Sequence, residues 1–356
     1  VGNNGGALDG TLNMNIRGAG TIGDGSGSSP LVLIDGIEGD LNTVNPNDIE
    51  SVSVLKDAAS ASIYGARASF GVILVTTKSG KSGKTNVSYS GSARFSDAIG
   101  VPDIMDSYTF AQYFNRASAN KGGGDIFAPA VMERIKAYQE GTLKATTVDN
   151  GAGIWQKWAN ANGDTDWFEE FYDHWAPSQE HNLSINGGTD KATYFAGASY
   201  FSQEGNMGRL DYDRWNFRAG VNANIGKWTK ASFQISGDMG EQNNARNGIS
   251  GGGTDADFNS LMTHLPFVPD YIGGRPVVYT GMQNVSSNLT AVQLYNFRAV
   301  QNSPDNTENQ TNNMSINGSL EHDFGWFKWT KGLKLKASYS RNIVNGKSNN
   351  IGTKIN

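Results

Sequence analysis

The sequence predicts a mainly β fold: a partial transmembrane antiparallel β-barrel of about seven strands, preceded by a small α+β domain. Three observations carry this expectation. From Thr85 onward, apolar and polar residues alternate with period two. The alternating runs last about 10 to 12 residues, close to the roughly 9 to 11 that cross a bilayer and longer than the usual soluble strand of about 5 to 6. Connections also alternate between tight turns and long loops, as periplasmic turns and extracellular loops do.

The first domain is expected over residues 1–84. Pro30-Leu31-Val32-Leu33-Ile34-Asp35-Gly36 reads as a short apolar strand ended by a turn, and Asp48-Ile49-Glu50-Ser51-Val52-Ser53-Val54-Leu55 as an alternating strand. Asp57 is placed to cap a short helix from Ala58 to Tyr64, which Gly65 would close. Ser69 to Thr77 reads as a buried strand, and Asn45-Pro46-Asn47-Asp48 as a turn.

The barrel segment is expected over residues 85–356. Its first strand sets Val87, Tyr89, Ala93 and Phe95 against Ser88, Ser90, Ser92 and Arg94. In another, Trp215, Phe217, Ala219, Val221, Ala223 and Ile225 alternate with Asn216, Arg218, Asn222 and Asn224. Runs near Phe233, Ile316 and Leu335 follow suit, while Ala192 to Ser202 alternates less cleanly and Leu183 with Ile185 marks a shorter segment. Tight turns are expected at Gly187-Gly188-Thr189-Asp190 and at Gly226-Lys227-Trp228-Thr229, a medium loop near Gly205 and a short turn at Gly325, with long loops at about 97–179 and 242–311. Tyr89, Tyr200, Trp215, Trp228, Trp326 and Trp329 suit interfacial aromatic girdles.

Composition excludes other classes. The 356 residues include no Cys and four His, which removes disulfide scaffolds, thiolate metal sites and cysteine nucleophiles. A net charge of −5 argues against nucleic acid as a partner. Gly18-Ala19-Gly20-Thr21-Ile22-Gly23 spells a dinucleotide fingerprint, but Ser and Gly residues follow where a helix is required. Asn160 to Asp166 departs from calcium-loop spacing. No catalytic residue, metal site or cofactor is expected.

The stretch from Pro30 to Gly80 resembles the signature region of the SusC/RagA family of TonB-dependent outer-membrane transporters. The resemblance rests on Pro30 to Ile37, Asn45 to Val52, Val54-Leu55-Lys56-Asp57-Ala58, Ile63-Tyr64-Gly65-Ala66-Arg67 and Gly71 to Lys78, with Asn15-Ile16-Arg17-Gly18 upstream and looser similarity at Asp166-Trp167 and His181 to Gly188. It implies that the first domain is a plug folded inside a barrel of about 22 strands. The signal peptide, N-terminal carboxypeptidase-regulatory-like domain, TonB box, first part of the plug and about two thirds of such a barrel are expected to lie outside this chain.

The implied activity is TonB-dependent import of a large nutrient, an oligosaccharide or a peptide, across the outer membrane of a Gram-negative, Bacteroidota-like cell. The implied partners are a SusD-like surface lipoprotein, the TonB-ExbB-ExbD complex and outer-membrane lipid. The alternative is a non-transporting β-rich surface module for carbohydrate binding or adhesion. The plug signature comprises Arg17, Gly18, Asp35, Gly36, Pro46, Asp48, Glu50, Lys56, Asp57, Tyr64, Gly65, Arg67 and Gly71. The resemblance implies that Arg17 and Arg67 pair with barrel glutamates in strands expected to lie outside this chain, the alternative being ordinary surface residues, and Gly71 is expected to allow a turn or close packing. In the first long loop, Trp155, Trp158, Trp167, Tyr172 and Trp175 could stack on a ligand or form the loop's own core.

Overall fold

A computed structural model describes residues 30–41, 44–57, 62–68, 70–148, 161–206, 209–245, 261–262, 264–272, 275–276 and 306–351. The plug is a four-stranded sheet of order β2-β1-β4-β3, formed by β1 (Leu31–Ile34), β2 (Ile37–Glu38), β3 (Ile49–Leu55) and β4 (Val72–Thr77). Asp35 and Gly36 join β1 to β2 with φ of 52° and 86°. Two positive φ values match a two-residue hairpin turn to the strand twist, which is why Asp-Gly stands there. β1 pairs parallel with β4, and Leu33, Ala68 and Val72 form the buried core under Leu31, Leu55, Tyr64 and Leu74.

The helix expected before Gly65 differs in form. Ser62–Ala68 is a 3-10 segment interrupted at Gly65 (φ 73°), and residues 58–61 lie outside the described residues.

The barrel segment is one seven-stranded antiparallel meander of β5 (Gly83–Ser96), β6 (Ala176–Gly188), β7 (Ala192–Glu204), β8 (Leu210–Ile225), β9 (Thr229–Ala245), β12 (Asn306–Asp323) and β13 (Lys334–Ile351). Two short strands, β10 (Tyr271–Ile272) and β11 (Arg275–Pro276), pair within the second long loop. The wall strands run to 13–18 residues, beyond the expected length. Their polar ends keep pairing past the apolar band: Asn306 to Thr311 of β12 pair with Gly240 to Ala245 of β9. The short connection at Gly325 covers residues 324–333.

Register sorts the two faces. Residues paired directly across strands share a face, so Val87, Ile185, Ala196, Ala219, Ile235 and Ile316 form one outward row. Gly197, Arg218, Ser236 and Ser315 form an inward row. From Trp215 to Ile225 the apolar face of β8, at about 3.3 Å per residue and a tilt of about 40°, spans about 25 Å, the height of an outer-membrane apolar band.

On the long-loop side, three helices form a second compact body: α1 (Ser107–Asn120), α2 (Pro129–Gln139) and α3 (Trp167–Phe171). Asp106 caps α1 by accepting from the Thr109 amide at 2.9 Å, and Asp166 caps α3 by accepting from Phe168 and Glu169. The core joins Ala111, Phe127, Val131, Ile135, Trp167, Phe168 and Phe171 of the first loop to Leu261, Phe267 and Val268 of the second.

Candidate functional site

The plug meets the wall where the β1–β2 hairpin overhangs the end of β4. The positive φ of Asp35 turns its carboxylate back over that end. Its Oδ1 accepts from the Thr77 amide at 2.9 Å and its Oδ2 from the Thr77 hydroxyl. From the inward face of β8, Arg218 donates to the Lys78 carbonyl at 2.8 Å, to Asp35 Oδ2 at 3.4 Å and to the Thr77 hydroxyl. Gln234 of β9 donates to the same Asp35 oxygen at 3.4 Å.

A Cβ at Gly197 would meet the Phe195 ring at 3.2 Å and Asp48 Oδ1 at 3.3 Å. Gly197 and Ser236 flank Arg218 in its inward row, and the Phe195 ring lies 5.2 Å from the guanidinium carbon, within cation–π reach.

A second contact lies on β6. Asn45 opens the 3-10 turn Pro46–Asp48 by accepting from the Asn47 amide, and donates to Asn182 at 2.6 Å, while Asn47 donates to Glu180 at 3.0 Å. Asp48 accepts the Lys78 amide through its backbone carbonyl at 2.8 Å. Burial pushes the Asp48 carboxyl above the usual carboxylate range, a rise that Arg218 and Lys78 oppose.

Between these contacts the interface is open and mixes polar with apolar side chains. One cavity of about 360 Å³ sets Asp40, Asp48, Arg218 and Asp238 beside Ile34, Ile37, Val44, Met314 and Val344. Another of about 400 Å³ is lined by Asp35, Lys78, Phe195, Gln234 and Asn317, and a third of about 210 Å³ by Asn47, Ser88, Ser90, Asn182 and Ser199. Each has the volume and hydrogen-bonding partners to hold several waters. A domain held by hydrogen bonds to amides and charged side chains can exchange those contacts for solvent when it moves, which an apolar seal cannot do.

The expected plug residues fall into separate places. Arg17 and Gly18 lie outside the described residues. Asp35 and Asp48, read from sequence as turn residues, also face the wall. Arg67 is exposed and pairs with Glu38 of its own domain. Across the interface, Arg218 on the wall meets the Asp35 carboxylate on the plug. Pro46 opens the 3-10 turn, Tyr64 packs on the plug core, and Glu50 pairs with Lys81 at 3.2 Å. Lys56 and Asp57 are exposed. Gly71 is buried at φ 98°, a conformation that only glycine enters easily.

The loop aromatics do not share one face. Trp155 and Trp158 lie outside the described residues. Trp167 is fully buried, stacked on Phe171, and donates to the Leu265 carbonyl at 3.1 Å, so its ring packs as core and is not presented to a ligand. Tyr172 is half-buried against the same core, whereas Trp175 is 67% exposed at φ 62°. Sequence reasoning missed Arg218, whose inward position the β8 alternation marks, and missed the second-loop residues that complete the loop core.

Comparison with known proteins bears on the fold. Residues 1–72 match the TonB-dependent Receptor Plug Domain. The chain is 27% identical to TonB-dependent receptor SusC of Bacteroides thetaiotaomicron over 98% of its own length and 32% of that protein's. It is 29% identical to TonB-dependent receptor P3 of Formosa agariphila, over 75% of this chain and 23% of that one. It thus spans about a third or less of the length of these relatives. Among solved structures, the RagAB peptide importer in its closed-closed state superposes with a TM-score of 0.71 at 24% identity, covering 95% of this chain and 37% of that one. The open-open state gives 0.70 at 23% identity, over 94% and 36%. The shared fold is a plug with the strands of a TonB-dependent receptor barrel.

Proposed function

We propose that this chain, a SusC/RagA-like segment of a TonB-dependent receptor, belongs to an active importer that carries a large nutrient, an oligosaccharide or a peptide, across the outer membrane. In this reading the plug extends to about residue 84 and the barrel segment begins at residue 85, with extracellular loops near 97–179 and 242–311. A SusD-like lipoprotein covers the loop side, and TonB-ExbB-ExbD pulls through a segment outside this chain. Catalysis and nucleic acid have no part in it.

The observation that carries the proposal is the plug's seat. It is held to the wall by hydrogen bonds to Arg218, Asn182 and Glu180 with open cavities between them, as a gate that must leave its frame and return requires. Arg218 acts as the wall-side catch. Its donors satisfy the Lys78 carbonyl and the Asp35 carboxylate while the plug is seated, and water replaces them on release. The relatives support the reading by their receptor names and by the peptide importer whose fold is shared.

The test is to extract the full-length protein from outer membranes in mild detergent and weigh the intact complex, then grow a deletion strain on single glycans or peptides. A heavy membrane complex travelling with a lipoprotein, and a TonB-dependent growth defect on one nutrient class, are expected. A species that stays soluble without detergent, with no growth defect, overturns the proposal in favour of a surface-binding module.

A further inference from the structure

The connection between β12 and β13 is rich in aromatic and basic residues. Residues 324–333 carry Trp326, Phe327 and Trp329 interleaved with Lys328 and Lys331. The segment is wound by successive i to i+3 backbone bonds, from the Phe327, Thr330 and Leu333 amides to the Phe324, Phe327 and Thr330 carbonyls. It also packs on the neighbouring β8–β9 turn, because the Asp323 amide donates to the Trp228 carbonyl at 2.8 Å and a Cβ on Gly325 would lie 3.2 Å from the Trp228 ring.

This ordered pair of turns leaves its apolar groups outside. Trp326 and Phe327 are 53% exposed and Trp329 is 97% exposed. Exposed Lys227, Lys328 and Lys331 stand in the same two turns. The opposite ends of the same strands carry outward-facing acids instead, with Asp213 and Glu241 paired across β8 and β9.

We infer that the turns at 226–228 and 324–333 form a binding rim for anionic phospholipid, with the aromatic rings at headgroup level and the lysines on lipid phosphate. Two observations argue for lipid. The rim continues the outward apolar face through Leu320, Leu333 and Leu335, each about half exposed or more, and its charge is complementary to an anionic headgroup. The inference rests on the membrane-barrel reading above.

The test uses the full-length receptor in vesicles of phosphatidylethanolamine with and without phosphatidylglycerol, reading the retained lipid by mass spectrometry and iodide quenching of Trp329 as the difference from W329F. Enrichment of phosphatidylglycerol, falling about five-fold per charge removed in K328Q and K328Q/K331Q, is expected, together with protection of Trp329 from iodide. Insertion with no lysine-dependent enrichment overturns the rim alone. So does a Trp329 that iodide still reaches in anionic vesicles, which would point to a soluble protein partner. Failure of the receptor to enter vesicles overturns the transport reading, and the rim with it.

Discussion

Arg218 and Asp35, 183 residues apart in the chain, meet at 3.4 Å across the junction of plug and wall. The guanidinium side chain is 9% exposed and the carboxylate 25%. Removing one partner leaves the other poorly solvated. Arg218→Ala is expected to weaken plug seating by about 3 kcal/mol. The plug would become more sensitive to limited proteolysis, and cells more permeable to large antibiotics. Asp35→Arg combined with Arg218→Asp should recover part of the loss, which a purely steric role for either residue would not allow.

Gly71 supplies a second prediction. At φ 98° a β-branched side chain meets the backbone, so Gly71→Val is expected to destabilise the plug by about 2 kcal/mol or more. Protease digestion of the plug alongside heat-modifiability of the barrel checks it, with the barrel expected to be unaffected.

The loop core makes a third. Trp167→Ala should cost about 3 to 5 kcal/mol of loop stability, whereas Trp175→Ala should cost well under 1 kcal/mol. Hydrogen exchange over residues 97–176 would show the difference. Weaker nutrient binding by Trp175→Ala with normal exchange would assign that exposed ring to recognition.

A pH dependence follows from His174. Its Nδ1 lies 3.0 Å from Asp97 at the top of β5 and its Nε2 lies 3.6 Å from Glu169 of α3, with Asp173 adjacent in the chain. The Asp97 hydrogen bond and charge raise its pKa, helped by Glu169. A His raised on folding stabilises fully below its unfolded value of about 6.5, and the contribution is lost as pH rises through the folded value. Exchange protection at residues 97 and 169–174 should therefore fall on passing from pH 6 to pH 8.5, and His174→Asn should flatten the profile.

Much of this architecture was legible in the sequence because single-residue chemistry sets it. Asp35-Gly36 demands its hairpin turn, and the run from Trp215 to Ile225 states both faces of β8. The expected strands were short because an apolar alternation stops where the lipid stops, while polar pairs such as Glu241 with Gln310 continue the ladder. The catch itself was not legible. Alternation puts Arg218 inside the barrel, but its meeting with Asp35 depends on how a separate domain settles against the wall. Nor could spacing show that Phe267 and Val268 would close a core begun at Ala111.

That shared core has a consequence for how such loops diversify. The Gly163 amide donates to the Phe267 carbonyl at 2.9 Å and the Thr165 amide to the Pro266 carbonyl at 2.8 Å, so each loop is the other's scaffold. Grafting the first loop from a relative while keeping the resident second one would leave both without their mate. In a chimera the two segments are a single unit of inheritance, although a stretch of membrane wall separates them in the chain.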